Sequence, residues 1–270
     1  MEIKKYLDQV MELPKMVNEK LPFNHWNSCM NDSETQIPSW INMIVKILAL
    51  VFVLGGLWGV LSGFENVGDS FNLGAAEGIG FILGSIFWIY ALFPVSNLIR
   101  GLGEEIGNSS SNMIEFLFKD IPVALIRASG YIAALIALFV AISLTFQWLT
   151  SISLGNSEFW GNEIGMMLSS LTQGSNFGIA ALASVLEGLD GPDIMYMMEE
   201  MMMAFSGDMM VVDWFDPNSL PVVISAYLNV ILTLILLFVN IIIYKWLYSL
   251  ATTFVNWISG PYFPHKNLNK

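Results

Sequence analysis

Four long apolar stretches constrain this chain more than any other feature of its sequence. They cover residues 40–63, 74–98, 121–148 and 221–244. The hydrocarbon core of a bilayer is about 30 Å thick, and an α-helix needs about 20 mostly apolar residues to cross it. Since the backbone finds no water there, each stretch must satisfy its hydrogen bonds as a helix. The sequence therefore predicts an all-α, polytopic integral membrane protein, a bundle of four transmembrane helices.

Composition supports this class and excludes others. Hydrophobic residues make up 55% of the 270 residues and charged residues 13%, whereas soluble domains have about 25% charged residues. The mean hydropathy is +0.61. The formal net charge of −12 argues against a nucleic-acid partner, because binding to phosphates requires a basic surface.

Residue types that carry common chemistry are scarce. The chain has one cysteine, Cys29, and two histidines, His25 and His265. It contains no P-loop, no HExxH motif and no Gly-x-Ser-x-Gly motif. We therefore expect a protein that is not an enzyme and has no resident metal or cofactor.

The basic residues predict how the spans are oriented. Residues 47–99 and 128–244 contain no lysine or arginine. With the amino terminus in the cytoplasm, every basic residue falls in a cytoplasmic segment or at the cytoplasmic end of a span, as the positive-inside rule requires. We therefore expect a multi-pass protein of the plasma (inner) membrane with both termini in the cytoplasm. The eleven basic residues are Lys4, Lys5, Lys15, Lys20, Lys46, Arg100, Lys119, Arg127, Lys245, Lys266 and Lys270.

This topology divides the chain into four regions. Residues 1–39 form a cytoplasmic amphipathic region, and residues 40–149 contain the first three spans. Residues 150–220 form an acidic, methionine-rich extracytoplasmic loop without a basic residue, which would concentrate cations. Residues 221–270 contain the fourth span and a C-terminal segment that either prolongs this helix or lies along the inner membrane surface.

The extracytoplasmic loop has short apolar stretches of its own. One is a stripe at residues 164–171, and another covers residues 177–186. Ten residues are too few to cross a bilayer. We expect short helices that cap the bundle or lie on the membrane, with a re-entrant segment as the alternative.

A methionine cluster follows in the same loop. Five of its apolar residues repeat at helical spacing and form one helix face. Methionine is common at adaptable contact surfaces, so this face is a candidate surface for a protein partner. Thioether sulfur also suits Cu(I), and the segment is similar in composition to the methionine-rich outer segments of copper-handling proteins, so Cu(I) binding is the alternative. The face consists of Met195, Met198, Met202, Phe205 and Met209.

Small residues recur at every fourth position in three spans. Such ridges let helix backbones approach closely in lipid. We expect spans one and two to pack as a tight hairpin with span three against it, and contact with a second copy is the alternative. The ridges are Gly55, Gly59 and Gly63; Ala76, Gly80 and Gly84; and Ala133, Ala137 and Ala141.

Two polar features of the spans are candidate sites. Glu77 lies near the outer end of span two. Placing an ionisable group inside a span costs free energy, so such a residue is a candidate for a functional role. In span four, Ser225, Asn229, Thr233 and Asn240 share one helix face. Glu77 is either a boundary residue or part of a pathway. The span-four face either lines that pathway or hydrogen-bonds to span three, where Ser129, Ser143 and Gln147 are available.

Two classes of function follow. The first is a non-catalytic membrane component, such as an accessory, scaffold or assembly subunit, that acts through contacts with a protein partner or a second copy in the bilayer. The alternative is a small oligomeric transporter or channel for a cation. In that case Glu77 and the polar face of span four line the path.

Overall fold

The computed structural model describes residues 26–155, 157–174, 177–187 and 212–259. In this part of the chain the regular structure is helical, without strands. Four helices are long and apolar enough to cross a membrane. The prediction of an all-α protein with four such helices is therefore confirmed.

The first half of the chain forms two of these long helices. Helix α1 covers Trp26–Gly63, and a 3₁₀ turn leads to the short helix α2, Val67–Leu73. Helix α3 covers Ala75–Gly107. Helix α1 packs extensively against α3, and α2 packs against the start of α3. Spans one and two are thus neighbours, as expected.

The second pair of long helices consists of α4 and α7. Helix α4 covers Ile121–Thr150 and follows a π-helical turn, Phe116–Asp120. Helix α7 covers Leu220–Ser259 and packs along α4. Helices α3 and α4 join the two pairs into one bundle.

Among the described residues between α4 and α7, two further helices are present. Helix α5 covers Asn162–Gln173 and is preceded by a 3₁₀ turn, Ser157–Trp160. Helix α6 covers Phe177–Glu187. Both belong to the segment that the sequence predicts as an extracytoplasmic loop.

The interior of the bundle is apolar and aromatic. Phe52 of α1, Trp88 of α3 and Ile132 of α4 are buried in one cluster. A second cluster lies between α4 and α7, around Ile126 and Leu237. Large apolar side chains also cover the outside of the bundle, which is the surface that lipid requires.

The long helices extend beyond the predicted spans, because hydropathy marks only the apolar part of a helix. The largest difference is in α7, which continues without interruption to Ser259. Its 40 residues correspond to about 60 Å, twice the thickness of the hydrocarbon core. Of the two alternatives for residues 245–259, the structure has the prolonged helix.

Four basic residues lie close together at one end of the bundle. Lys46 and Arg100 both pair with Glu104, and Arg127 pairs with Glu105. Lys119 pairs with Glu115 in the turn before α4. This is the end that the sequence assigns to the cytoplasm, and the orientation itself stays a prediction.

Candidate functional site

The segment after α4 packs among the long helices. The hydroxyl group of Ser143 donates a hydrogen bond of 3.0 Å to the carbonyl oxygen of Gly155. The indole of Trp88, inside α3, donates to the carbonyl oxygen of Leu154 at 3.1 Å. These bonds attach the chain to α3 and α4 before α5 begins.

The turn Ser157–Trp160 is anchored by Trp160. Only 1% of this side chain is exposed, and its indole donates to the carbonyl oxygen of Trp88 at 2.8 Å. Its ring meets those of Trp88 and Phe52 edge to face, at centroid distances of 5.4 and 5.6 Å. Such pairs add to the energy of burial, so the turn is firmly fixed to α1 and α3.

Helix α5 then runs along α1 and α4 towards the end of the bundle where α4 begins. Its first turn places Ile164 against Gly55, and Gly174, just after its last turn, lies beside Ser129 of α4. The segment therefore moves from Ser143 to Ser129 of α4. These positions are 14 residues apart, or about 21 Å along the helix axis, roughly two thirds of the hydrocarbon core.

Helix α6 begins at that depth and packs along α7. The ring of Phe177 contacts that of Tyr244 at 5.7 Å. The backbone N–H of Ile179 donates to Oδ1 of Asn240 at 2.8 Å. Asn240 is 0% exposed, and its Nδ2 donates back to the carbonyl oxygen of Leu236. One amide thus satisfies a backbone donor in the first turn of α6, where intrahelical acceptors are missing.

Beyond α6, the described chain resumes at the end of the bundle where α4 terminates. Gln147, near the end of α4, donates to the carbonyl oxygen of Val212 at 3.3 Å. The N–H of Phe215 donates to the carbonyl oxygen of Trp148 at 3.0 Å. The described chain thus enters the bundle beside Ser143, reaches the level of Ser129 and Asn240, and resumes beside Gln147. We call its two short helices, α5 and α6, the inner hairpin. Gly174, which follows α5, lies beside Ser129 and therefore between the two ends of α4.

The predicted small-residue ridges contribute to this packing in a way that the sequence did not indicate. Gly59 faces the backbone carbonyl of Trp160, while Gly80 and Gly84 face the carbonyls of Ser153 and Leu154. These glycines make room for the connecting segment and not for the neighbouring long helix. Ridge spacing predicts a close approach, but it does not identify what approaches.

The other ridge residues vary in environment. Gly63 is the exception among the glycines, because it faces the ring of Phe81 in α3. Ala76 is exposed, Ala133 and Ala137 are half-buried, and Ala141 is buried.

Glu77 lies in an open cleft at the end of the bundle opposite the ion pairs of Glu104 and Glu105. The side chain is exposed, and the cleft has a volume of about 360 Å³. Glu77 is the only ionisable residue among those that line the cleft: Ser70, Ala76, Glu77, Phe81, Gln147, Ser151, Ser153, Gly155 and Phe159. The cleft thus lies directly beside the base of the inner hairpin.

The four polar residues of span four do not share one set of contacts. Ser225 and Thr233 hydrogen-bond to carbonyl oxygens of their own helix, and Asn229 is half-buried. Asn240 is the member that reaches another element, α6. The expected partners in α4 are used elsewhere, because Ser143 and Gln147 bind the connecting segment and Ser129 binds its own helix.

The methionine face at 195–209 lies outside the described residues, as does the amphipathic stretch at the start of the chain. Among the residues that are described, no group of three or more His, Cys, Asp or Glu side chains is placed to hold a metal ion.

Of the alternatives for residues 177–186, the position of α6 beside Asn240 fits the re-entrant segment and not a cap. The role of Asn240 has no counterpart among the sequence predictions. The available signals were the ten-residue length of the second apolar stretch and the glycines at 174 and 178. A Cβ at Gly178 would overlap the backbone of Asn240, so that glycine marks the crossing of α6 and α7. Comparison with protein-family models, curated proteins and solved structures finds no match for this chain.

Proposed function

We propose that the protein is a small transporter or channel for a cation. The observation that carries this proposal is the inner hairpin, two short helices that lie within the depth of the bundle. Such broken helices are tolerated at membrane depth where they are buried in protein or line a path. In transporters they form the binding site near the middle of the bilayer.

The charge distribution favours a cation as the transported species. The cleft beside the hairpin base has a carboxylate, Glu77, and amide and hydroxyl groups as its polar lining. The outer-side sequence segments carry no lysine or arginine. A cleft lined by one sign of charge concentrates ions of the opposite sign and accelerates their binding.

Flux through liposomes that contain the purified protein tests this proposal. Na⁺, K⁺, Mg²⁺ and Ca²⁺ would be offered separately, each followed by a selective dye inside the vesicle. We expect flux of at least one cation, reduced by Glu77→Gln. The matched control is Glu65→Gln, which changes an exposed acid in the turn after α1 that does not line the cleft.

Two outcomes would contradict the proposal. One is the absence of flux for all four cations with correctly folded protein. The other is equal flux in wild type, Glu77→Gln and Glu65→Gln, because the cleft would then have no part in transport.

A second candidate is an accessory or scaffold component, and a different feature favours it. Beyond Tyr244, α7 continues through residues 246–259 without a charged residue. Large apolar side chains on this extension are more than half exposed: Trp246, Leu250, Phe254 and Trp257. Exposed apolar faces of this kind mark contacts with protein or membrane.

Purification in mild detergent at native expression tests this second candidate. We expect a partner in near-stoichiometric amounts, identified by mass spectrometry and lost in the double variant Leu250→Ser, Phe254→Ser. The matched control is Ser249→Ala, Thr253→Ala on the polar side of the same extension. Retention of the partner by the serine variant would exclude this surface.

A further inference from the structure

We propose that a groove between α7 and the turn before α4 binds a phospholipid whose headgroup carries a primary ammonium group. The groove has a volume of about 770 Å³, which is within the range of ligand sites in proteins. It lies at the opposite end of the bundle from the Glu77 cleft. The inference therefore goes beyond the transport function and does not depend on it.

The groove begins at the boundary of the membrane. Tyr244, where the predicted fourth span ends, lines the groove and donates a hydrogen bond from its hydroxyl group to the carbonyl oxygen of Phe118. From there the α7 wall continues to Asn256. These two residues of α7 are 12 positions apart, or about 18 Å along the helix axis. The groove therefore opens where the hydrocarbon core ends and the lipid headgroups begin.

The α7 wall of the groove carries a polar strip and an apolar strip side by side. Residues four positions apart are neighbours on a helix surface, and each strip consists of three such residues. A phospholipid likewise joins polar and apolar parts in one molecule, so the wall offers a partner to both. The polar strip is Tyr248, Thr252 and Asn256, and the apolar strip is Leu247, Ala251 and Val255.

The facing wall, in the turn before α4, determines which headgroup fits. Among the described residues that line the groove, Glu115 is the one that is charged at neutral pH. Its carboxylate would repel a purely anionic headgroup. A primary ammonium group donates hydrogen bonds to carboxylate and amide oxygens, which Glu115 and Asn112 provide, whereas a quaternary ammonium group has no N–H to donate.

The phosphate of the lipid also has a partner of opposite charge close by. Nζ of Lys119 lies 3.7 Å from Oε1 of Glu115. This ion pair sets a cation and an anion side by side, as a zwitterionic headgroup does. The arrangement of charge therefore matches a phosphate and an ammonium group bound together.

A protein segment is a poorer match for the groove than a lipid. A partner helix that packs through an apolar face would bury Glu115 and the polar strip away from water. Polar groups that are buried without hydrogen-bond partners cost free energy. A phospholipid headgroup brings donors and acceptors of its own, and its acyl chains remain in the bilayer.

Native mass spectrometry of the purified, delipidated protein in detergent tests the proposal. Phosphatidylethanolamine, phosphatidylcholine and phosphatidylglycerol with the same acyl chains would be titrated separately. The groove variant is Ala251→Trp, which places a large ring on the apolar strip. The matched control is Thr253→Trp, at an exposed position of the same helix that does not line the groove. Thermal unfolding identifies variants that are folded.

We expect wild-type protein to bind phosphatidylethanolamine more tightly than the other two lipids. Ala251→Trp should weaken this binding by about tenfold, because the ring occupies the space of the lipid. Thr253→Trp should bind like wild type. Equal binding by these two variants would overturn the groove as the lipid site. A wild-type dimer that Ala251→Trp dissociates, without lipid bound to either, would assign the groove to a second copy and also overturn the proposal.

A second variant tests the headgroup assignment without filling the groove. Glu115→Gln keeps the size of the side chain and removes its charge. It should weaken phosphatidylethanolamine binding by about fivefold and leave phosphatidylcholine binding unchanged. The matched control is Glu65→Gln, at an exposed acid that does not line the groove, which should change neither. Equal affinity of wild type for the three lipids, or an unchanged preference in Glu115→Gln, would overturn recognition of the ammonium group.

Discussion

At the residue scale, Asn240 is a fully buried amide on a helix that is otherwise mostly apolar. It accepts from Ile179 and donates to Leu236. Both groups of the amide are therefore used. A buried backbone donor that loses its acceptor costs more than a typical hydrogen bond contributes, because its desolvation is not compensated.

We expect Asn240→Leu to lower the free energy of unfolding by about 1–3 kcal/mol. Tryptophan fluorescence during thermal unfolding in detergent would measure the change. Thr233→Val is the control, because the Thr233 hydroxyl bonds only to the carbonyl of Asn229 in its own helix, and its shift should be much smaller. Equal shifts in the two variants would show that Asn240 does not hold α6.

Gly59 and Gly101 differ in how much space surrounds them. A Cβ at Gly59 would overlap the carbonyl of Trp160, whereas one at Gly101 in α3 would have no neighbour within 4 Å. The close contact at position 59 therefore requires a residue without a side chain, whereas position 101 has room for one.

Gly59→Ala should therefore destabilise the protein by about 1–3 kcal/mol, as overpacking does. Gly101→Ala should be neutral or stabilising by up to about 1 kcal/mol, since alanine favours the helix. The same thermal unfolding measurement compares them. A smaller loss at Gly59 than at Gly101 would mean that the Ser157–Trp160 turn does not lie on α1.

At the scale of elements, α5 and α6 are each too short to cross the bilayer. Their 12 and 11 residues correspond to about 18 and 16 Å. The two helices fit within the bundle because the long helices supply the surfaces that cover them. The hydrophobic pattern of α5 is that of an amphipathic helix, and this pattern alone is also consistent with a helix on the membrane surface.

Hydrogen exchange distinguishes a position of α5 inside the bundle from a position on the membrane surface. We expect the backbone amides of residues 164–172 to exchange as slowly as those in the middle of α3, because both are buried among helices. Helix α2, whose residues lack burial, should exchange faster and serves as the internal comparison. Exchange of α5 as rapid as that of α2 would place α5 outside the bundle.

At the scale of the whole molecule, charge and hydrophobicity divide the bundle into ends and a middle. The described ion pairs between the long helices, Lys46 with Glu104 and Arg127 with Glu105, lie at one end. The cleft with Glu77 lies at the other. An orientation that keeps basic residues in the cytoplasm makes this cleft face outwards.

Cysteine labelling tests this orientation. In a Cys29→Ser background, a membrane-impermeant maleimide added to intact cells should label Asp213→Cys and not Thr253→Cys. After permeabilisation both should react, since both positions are exposed. The reverse pattern would invert the topology and place the Glu77 cleft in the cytoplasm.

The local sequence pattern was sufficient to predict the four long helices and to form an expectation of their orientation. The first follows from apolar length, and the second from the distribution of lysine and arginine; both are properties of short segments in a bilayer. The close approaches at Gly55 and Gly59 were also signalled by spacing. None of these inferences requires knowledge of which segments become neighbours.

The tertiary structure decided what those features contact. Asn240 and Thr233 are both polar residues of one predicted face, yet one binds α6 and the other only its own helix. Gly59 faces a turn that is about 100 residues later in the chain. Long-range partners depend on how all the helices fill the interior together, because close packing lets each surface be covered once. The sequence by itself therefore determined a four-span membrane protein, and only the packing of the bundle showed the hairpin within it.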